Sequence, residues 1–427
     1  MSNERYIWTP DQGPPELDLH SRTKHEVLRS YLERYVGTLT QDPRLDTLRL
    51  TLVDGFAGGG VYVDSQSKEI CFGSPILMIE AMLAAEKKAK TARSKKAFEL
   101  DVQYIFVEKN PDAVRYLTDV VNKQRYPRSL RDKIDIRHGS FEQNLAPILE
   151  AVKRHSKKAS RVIFALDQYG YKDVPFDLLR TIFSDVNKPE VILTFATDWL
   201  LDYLSDTEQS KQILIRLGLR GDYSSAAAIK REFGDEWRRV IQLALHDDIH
   251  VSSGADFYTP FFIRSAEAHR DYWLVHLSNH MRARDVMMGL HWEKQNHFHF
   301  EHDGRPGLKM LGYDPSRDFE AQGYSKLLFE FDDDAHIRMM SAILGELPER
   351  IANSPDGITV RELLSAITNE SPATHEDLKT ALKTLSLRDE IIVKDEDGKL
   401  RQPGVNVDLK DRLLIRRNKY MTLDFPE

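Results

Sequence analysis

Apolar residues along this chain recur with two different periods. In residues 22–39, "RTKHEVLRSYLERYVGTL", Val27, Leu28, Tyr31, Leu32 and Tyr35 fall on one helical face. Further on, short apolar runs at 48–56, 102–110, 133–141, 161–170 and 190–199 are strand-length. Amphipathic segments separate them, beginning with 73–92 and 111–124, the second opened by Pro111 at its first turn. Strands alternating with helices predict an α/β domain, a parallel sheet with helices on both faces. Residues 202–250 are helical and polar and read as an insertion, and 257–266 and 271–280 return to strand character. A helix is expected over 334–349. After it, "DGITVRELLSAIT" and "THEDLKTALKTLSLRDE" read as two helices, and "IIVKDEDGKLR" as a hairpin turning at Asp397-Gly398. That order predicts a C-terminal winged helix. The expected organisation is an arm at 1–20, the α/β domain at 21–302, a connection at 303–345 and the winged helix at 346–427.

Composition narrows the class. The chain has 427 residues, 41% hydrophobic and 30% charged, enough apolar matter to fold as more than one domain. A formal net charge of −7 means that any basic surface for nucleic acid must be local. The single cysteine, Cys71, excludes an internal disulfide and a cysteine zinc cage, and suits a reducing cytosol. No apolar run reads as a secretory signal or a membrane span, so a soluble cytoplasmic protein is expected.

The chemistry gathers at the strand ends. "LTLVDGFAGGG" closes the first strand with Asp54 and then bares the backbone at Gly58 and Gly60, either for a tight turn or for a ligand. The second strand ends in Glu108, placed to accept the hydroxyls of a ribose. The third ends in "HGSF", where Ser140 or Phe141 could meet an adenine ring. The fourth ends in "DQYG", which brings Asp167 and Tyr169 to the same crevice. There is neither a P-loop nor a G-x-G-x-x-G fingerprint.

The D-x-F-x-G-x-G pattern instead resembles the S-adenosylmethionine loop of class I methyltransferases. That resemblance implies that Asp54, Phe56, Gly58 and Gly60 wrap the methionine part of the cofactor and that Glu108 holds its ribose. "DGFAGGGVY…GSP", "FVEKNPDAVRYL", "LDQYGYKDVPFDLL", "VILTFATDWL" and "YWLVHLSNH" occur in an order similar to the three-Cys-motif partner (TcmP) family, over roughly residues 20–300. Membership would imply a Rossmann-like class I methyltransferase fold and a neighbouring cysteine-motif protein as partner. The winged helix lies outside this resemblance.

Amino-methyltransferases of nucleic acids carry [DNS]-P-P-[YFW] at the fourth strand. Asp167-Gln168-Tyr169-Gly170 keeps the acid, lacks both prolines and shifts the aromatic residue by one place. Asp167 therefore either accepts from an amine or only organises the cofactor pocket. Lys24 and His25 could fold over the site. Lys172, Arg282 and Arg284 are expected to follow carboxyl strand ends and to meet substrate phosphates. In the winged helix Lys379, Lys383 and Arg388 are available to phosphates, although acidic neighbours make a protein partner an equal alternative. His291, His297, His299 and His302 lack matching ligands, so no metal site is assigned. Two functions remain: an S-adenosylmethionine-dependent methyltransferase acting on a nucleic-acid base, or a non-catalytic partner of a cysteine-motif protein or DNA.

Overall fold

The apolar runs become strands of one sheet. The computed structural model describes residues 6–8, 13–17, 19–65, 67–93, 98–157, 159–168, 172–195, 208–219, 231, 245, 248–265, 270–293, 333–369 and 371–416. Two compact units divide the chain: 1–290 with 298–300, and 291–297 with 301–427.

The first unit begins with β1 (Glu16–Leu17), α1 (Leu19–Leu39), β2 (Thr47–Asp54), β3 (Val61–Asp64), β4 (Ile70–Phe72) and α2 (Ser74–Ala92). Then come β5 (Glu99–Glu108), α3 (Pro111–Lys123), α4 (Arg128–Arg131), β6 (Ile134–His138), α5 (Phe141–His155) and β7 (Arg161–Leu166). It continues through α6 (Phe176–Asp185), β8 (Lys188–Phe195), α7 (Glu208–Leu217), β9 (Phe257–Ser265), β10 (Arg270–Ser278) and α8 (Met281–Glu293). The seven-stranded sheet has the order β6-β5-β2-β7-β8-β10-β9. Its first five strands are parallel, and β10 runs antiparallel to both β8 and β9. Counted within the sheet this is 3-2-1-4-5-7-6 with the seventh strand reversed, the class I methyltransferase arrangement. The sheet expected from sequence is therefore mixed at one side. A small sheet, β1-β3-β4, joins β1 of the N-terminal arm to two strands between the glycine loop and α2, and the apolar pattern predicts none of the three.

Local chemistry sets the helix starts at the carboxyl edge. Asn110 Oδ1 accepts from the N–H groups of Asp112 and Ala113, and Pro111 presets the first turn of α3. Ser140 and Gln143 form a reciprocal capping box on α5. These caps stop the strands abruptly and leave their last side chains at the crevice.

Helix α1 is apolar on the expected face: Val27, Leu28, Tyr31, Leu32 and Tyr35 are all buried. It carries a polar anchor as well. The buried Tyr31 hydroxyl donates to the Glu190 carboxylate on β8, and His276 Nε2 of β10 lies 3.2 Å from the same oxygen. All three groups are removed from water, so each depends on the others for hydrogen bonding.

The second unit holds α9 (Asp333–Ala352), β11 (Ile358–Thr359), α10 (Val360–Thr368), α11 (His375–Leu387), β12 (Ile391–Lys394) and β13 (Arg412–Ile415). Its sheet, β11-β13-β12, is antiparallel. Met339, Ile343, Leu347 and Ile351 of α9 recur at helical spacing and are fully buried, as are Leu364 and Ile367 of α10 and Leu382 and Leu385 of α11. Capping boxes at Thr359 and Thr374 start the last two helices. The hairpin expected at Asp397-Gly398 is reduced to one bridge, Lys394 to Leu400, and β12 pairs with β13 instead. Pro403, which has no N–H to donate, stands just beyond that bridge.

Tyr31→Phe is expected to lower stability by about 1–3 kcal/mol, because it removes a donor from a buried carboxylate. Denaturant titration checks this, and Tyr35→Phe serves as the comparison.

Candidate functional site

Three neighbouring strands, β5, β2 and β7, reach the carboxyl edge side by side, and each delivers an acid: Glu108, Asp54 and, just past Leu166, Asp167. Asp54 is 1% exposed. Its Oδ1 accepts the Phe56 N–H at 3.0 Å, while Oδ2 is buried without a hydrogen-bond partner among the described residues. Burial pushes this carboxyl up to about 7, against the opposing pull of the Ser74 hydroxyl and the Phe56 N–H. Glu108 braces the glycine loop: Oε2 accepts the Gly58 N–H at 2.9 Å and Oε1 the Asn110 N–H at 2.7 Å. Each oxygen keeps a second lone pair for a ligand hydroxyl.

Gly58 and Gly60 have φ of +57° and +81°, a region that suits glycine. The bare backbone also admits close packing. A Cβ on Gly59 would lie 2.4 Å from the Trp8 ring, and one on Gly60 2.6 Å from Leu117 of α3. Trp8 is fixed by its indole N–H, which donates to the Val61 carbonyl at 2.8 Å. Trp8 packs edge-on to Tyr62 at 5.3 Å, and Tyr6 does so at 5.4 Å. Sequence reading treated residues 1–20 as an irregular arm and missed this contact, which only the fold brings together.

Tyr62 is the second residue that sequence reading missed. Burial raises its hydroxyl well above the usual value, and the charges of Asp167, Asp54 and Glu108 act in the same direction. Tyr62 therefore keeps its proton.

The Lys24 ammonium of α1 lies 2.6 Å and 2.7 Å from the two oxygens of Asp167. Burial opposes ionisation of Asp167, but Lys24, the Thr194 hydroxyl of β8 and nearby His25 outweigh it and hold the carboxyl below its usual value. The Asp167 side chain still leaves 39% of its surface open, so it stands at the mouth of the crevice. Next to it, buried Gln168 accepts the Asp173 and Val174 N–H groups, both at 3.0 Å, and so shapes the loop after β7.

The remaining expected residues separate. Ser140 is committed to its helix cap. Phe141 is 2% exposed and packs against Phe56 and Phe164, so its closed ring has no open face for adenine. Phe56 is partly buried on the same core. Lys172 is exposed in the loop beyond β7, and Tyr169 lies outside the described residues, as do His297, His299 and His302. Arg282 and Arg284 do not join the crevice. Because β10 is reversed, its carboxyl end pairs with Glu190 near the start of β8, at the opposite edge of the sheet. Arg282 there bonds Gln41 at 3.1 Å, and Arg284 is fully buried, closed to any phosphate. Lys379 and Lys383 lie on α11 of the winged helix, Lys383 exposed.

A family model described as the GMT-like wHTH domain matches residues 312–398. A search of curated proteins finds no match. Among solved structures, Trm1 from Pyrococcus horikoshii, in complex with S-adenosyl-L-methionine, is 13% identical with a TM-score of 0.32 and covers 66% of this chain and 61% of its own. The human methyltransferase 10 domain containing protein is 13% identical with a TM-score of 0.25 over 59% of this chain and 82% of its own. The methyltransferase domain of bacterial CtHen1 is 13% identical with a TM-score of 0.26 over 59% and 99%. Likenesses this slight fix neither fold nor cofactor nor substrate, and the fold stands on the strand order itself. No helix among the described residues is long and apolar enough to cross a membrane.

The Asp54 carboxyl holds its proton more tightly in the folded chain than in the unfolded one. Stability from this group therefore falls as pH rises from about 4 to about 7, by about 4 kcal/mol at most. Asp54→Asn is expected to raise the melting temperature clearly at about pH 8 and hardly at about pH 4, measured by thermal melts across that range.

Proposed function

We propose that the first unit binds S-adenosylmethionine and transfers its methyl group to a nucleic acid. One observation carries this reading: three acids from adjacent strand ends, Glu108, Asp54 and Asp167, stand at one edge of the sheet beside a glycine turn. Such an edge suits a ligand that offers hydroxyls and other hydrogen-bond donors. S-adenosylmethionine is that kind of ligand, with a sulfonium, an ammonium and a ribose diol. The residues fit it: Glu108 offers free lone pairs to the diol, and the orphaned Asp54 Oδ2 awaits a donor. When bound, the cofactor supplies an electrophilic methyl group. The chain orients the acceptor at Asp167 and keeps water from the floor of the crevice with Tyr62 and Trp8. The GMT-like wHTH match at 312–398 supports a nucleic-acid substrate.

A second reading concerns the winged helix alone. Some of its cations are spent on acids: Lys410 pairs with Glu396, Arg401 with Asp408 and Asp411, and Arg416 with Asp389. Such a surface suits a protein partner better than a phosphate backbone, and the three-Cys-motif resemblance offers a class of partner.

Calorimetric titration with S-adenosylmethionine is expected to show micromolar binding that weakens at least about tenfold in Glu108→Ala and in Gly58→Asp. Absence of binding to the unaltered protein removes the reading.

A further inference from the structure

We propose that the acceptor is a hydroxyl, the ribose 2′-hydroxyl of RNA, rather than an exocyclic base amine, and that Lys24 is the residue that selects it. The inference rests on the methyltransferase reading above.

Charge sign decides between the two acceptors. An amine that attacks a methyl group gains positive charge before it loses a proton. A site built for it offers acceptors and no cation. Here both oxygens of Asp167, the acid nearest the chemistry, are met by the Lys24 ammonium at 2.6 Å and 2.7 Å. A developing ammonium at that point would be repelled. A hydroxyl differs: it becomes an effective nucleophile only as it sheds its proton, and the ammonium favours the negative charge that builds on its oxygen as that proton leaves. Asp167, kept ionised by the same pair, can take the hydroxyl proton. In the balanced step the O–C bond forms as the C–S bond breaks, the bonding pair stays on sulfur and the proton passes to Asp167. Nothing further is oxidised or reduced.

The placement of Lys24 is built into the fold. Its side chain is only 15% exposed, and its helix is secured by Arg22 to Asp64 at 3.2 Å and by Tyr31 to Glu190 further along. The loss of both prolines after Asp167 agrees with this assignment. The first of those places is taken by Gln168, whose side-chain oxygen binds two loop N–H groups instead of lining a base pocket. Among nucleic acids the 2′-hydroxyl belongs to RNA alone.

Sinefungin, which carries an amine where the transferred methyl would be, tests the charge at that point without needing a substrate. Its affinity relative to S-adenosylhomocysteine would be measured by calorimetry in the full chain. Unaltered protein should bind sinefungin no better than S-adenosylhomocysteine. Lys24→Met should shift the ratio about tenfold or more toward sinefungin, and Lys24→Arg should retain the original ratio. An unchanged ratio in Lys24→Met, with S-adenosylhomocysteine still bound, overturns the inference and leaves the methyltransferase reading standing. Failure of the unaltered protein to bind S-adenosylhomocysteine removes both. In transfer assays on matched RNA and DNA oligonucleotides, 2′-O-methylated nucleosides after digestion support the assignment, and methylated base amines overturn it.

Discussion

One buried hydrogen-bonded cluster, Tyr31 with Glu190 and His276, governs the geometry of the site from the far end of a helix. A carboxylate at 6% exposure is costly unless its lone pairs are met, and these two partners meet them. The cluster therefore fixes α1 in rotation and in register across the sheet. From Tyr31 back to Lys24 the helix rises about 10 Å, two turns, which keeps the two side chains on one face. The ammonium arrives at Asp167 because the tyrosine cannot slide.

The crevice itself is a study in unlike treatment of like groups. Asp54, Glu108 and Asp167 come from the same kind of position, yet the chain handles each differently. Asp54 is sealed in and pushed toward its neutral form, Glu108 is tied to backbone N–H groups, and Asp167 is kept ionised by a lysine. Groups with pKa values driven apart at one edge can divide binding from proton transfer.

Much of this was legible in the chain. The helical face of α1, every strand of the large sheet and the acid-bearing strand ends follow from periodicity, which records burial directly. Reversal of β10 was not legible, because an apolar run reads the same in either direction, and with it went Arg282 and Arg284. Phe141 was misplaced for a related reason: "HGSF" marks a helix start, but not which way its first ring turns. Trp8 and Tyr62 escaped because their partners are supplied by the fold rather than by neighbouring residues. Lys24 was visible only as an addition to the site. Its 143-residue separation from Asp167 leaves no local trace.

That separation also orders events in time. Helix α1 leaves the ribosome before any strand of the large sheet, yet its anchors lie far downstream, Glu190 at a distance of 159 residues and His276 later still. Closing loops of that length is entropically slow and must wait for β8 and β10 to exist. Until then α1 can pack on α2 and pair Arg22 with Asp64, but it lacks its anchor on β8 and β10. The crevice is thus among the last features of the protein to be completed during synthesis, and a chain interrupted before β10 would carry the glycine turn and all three acids without a properly seated Lys24.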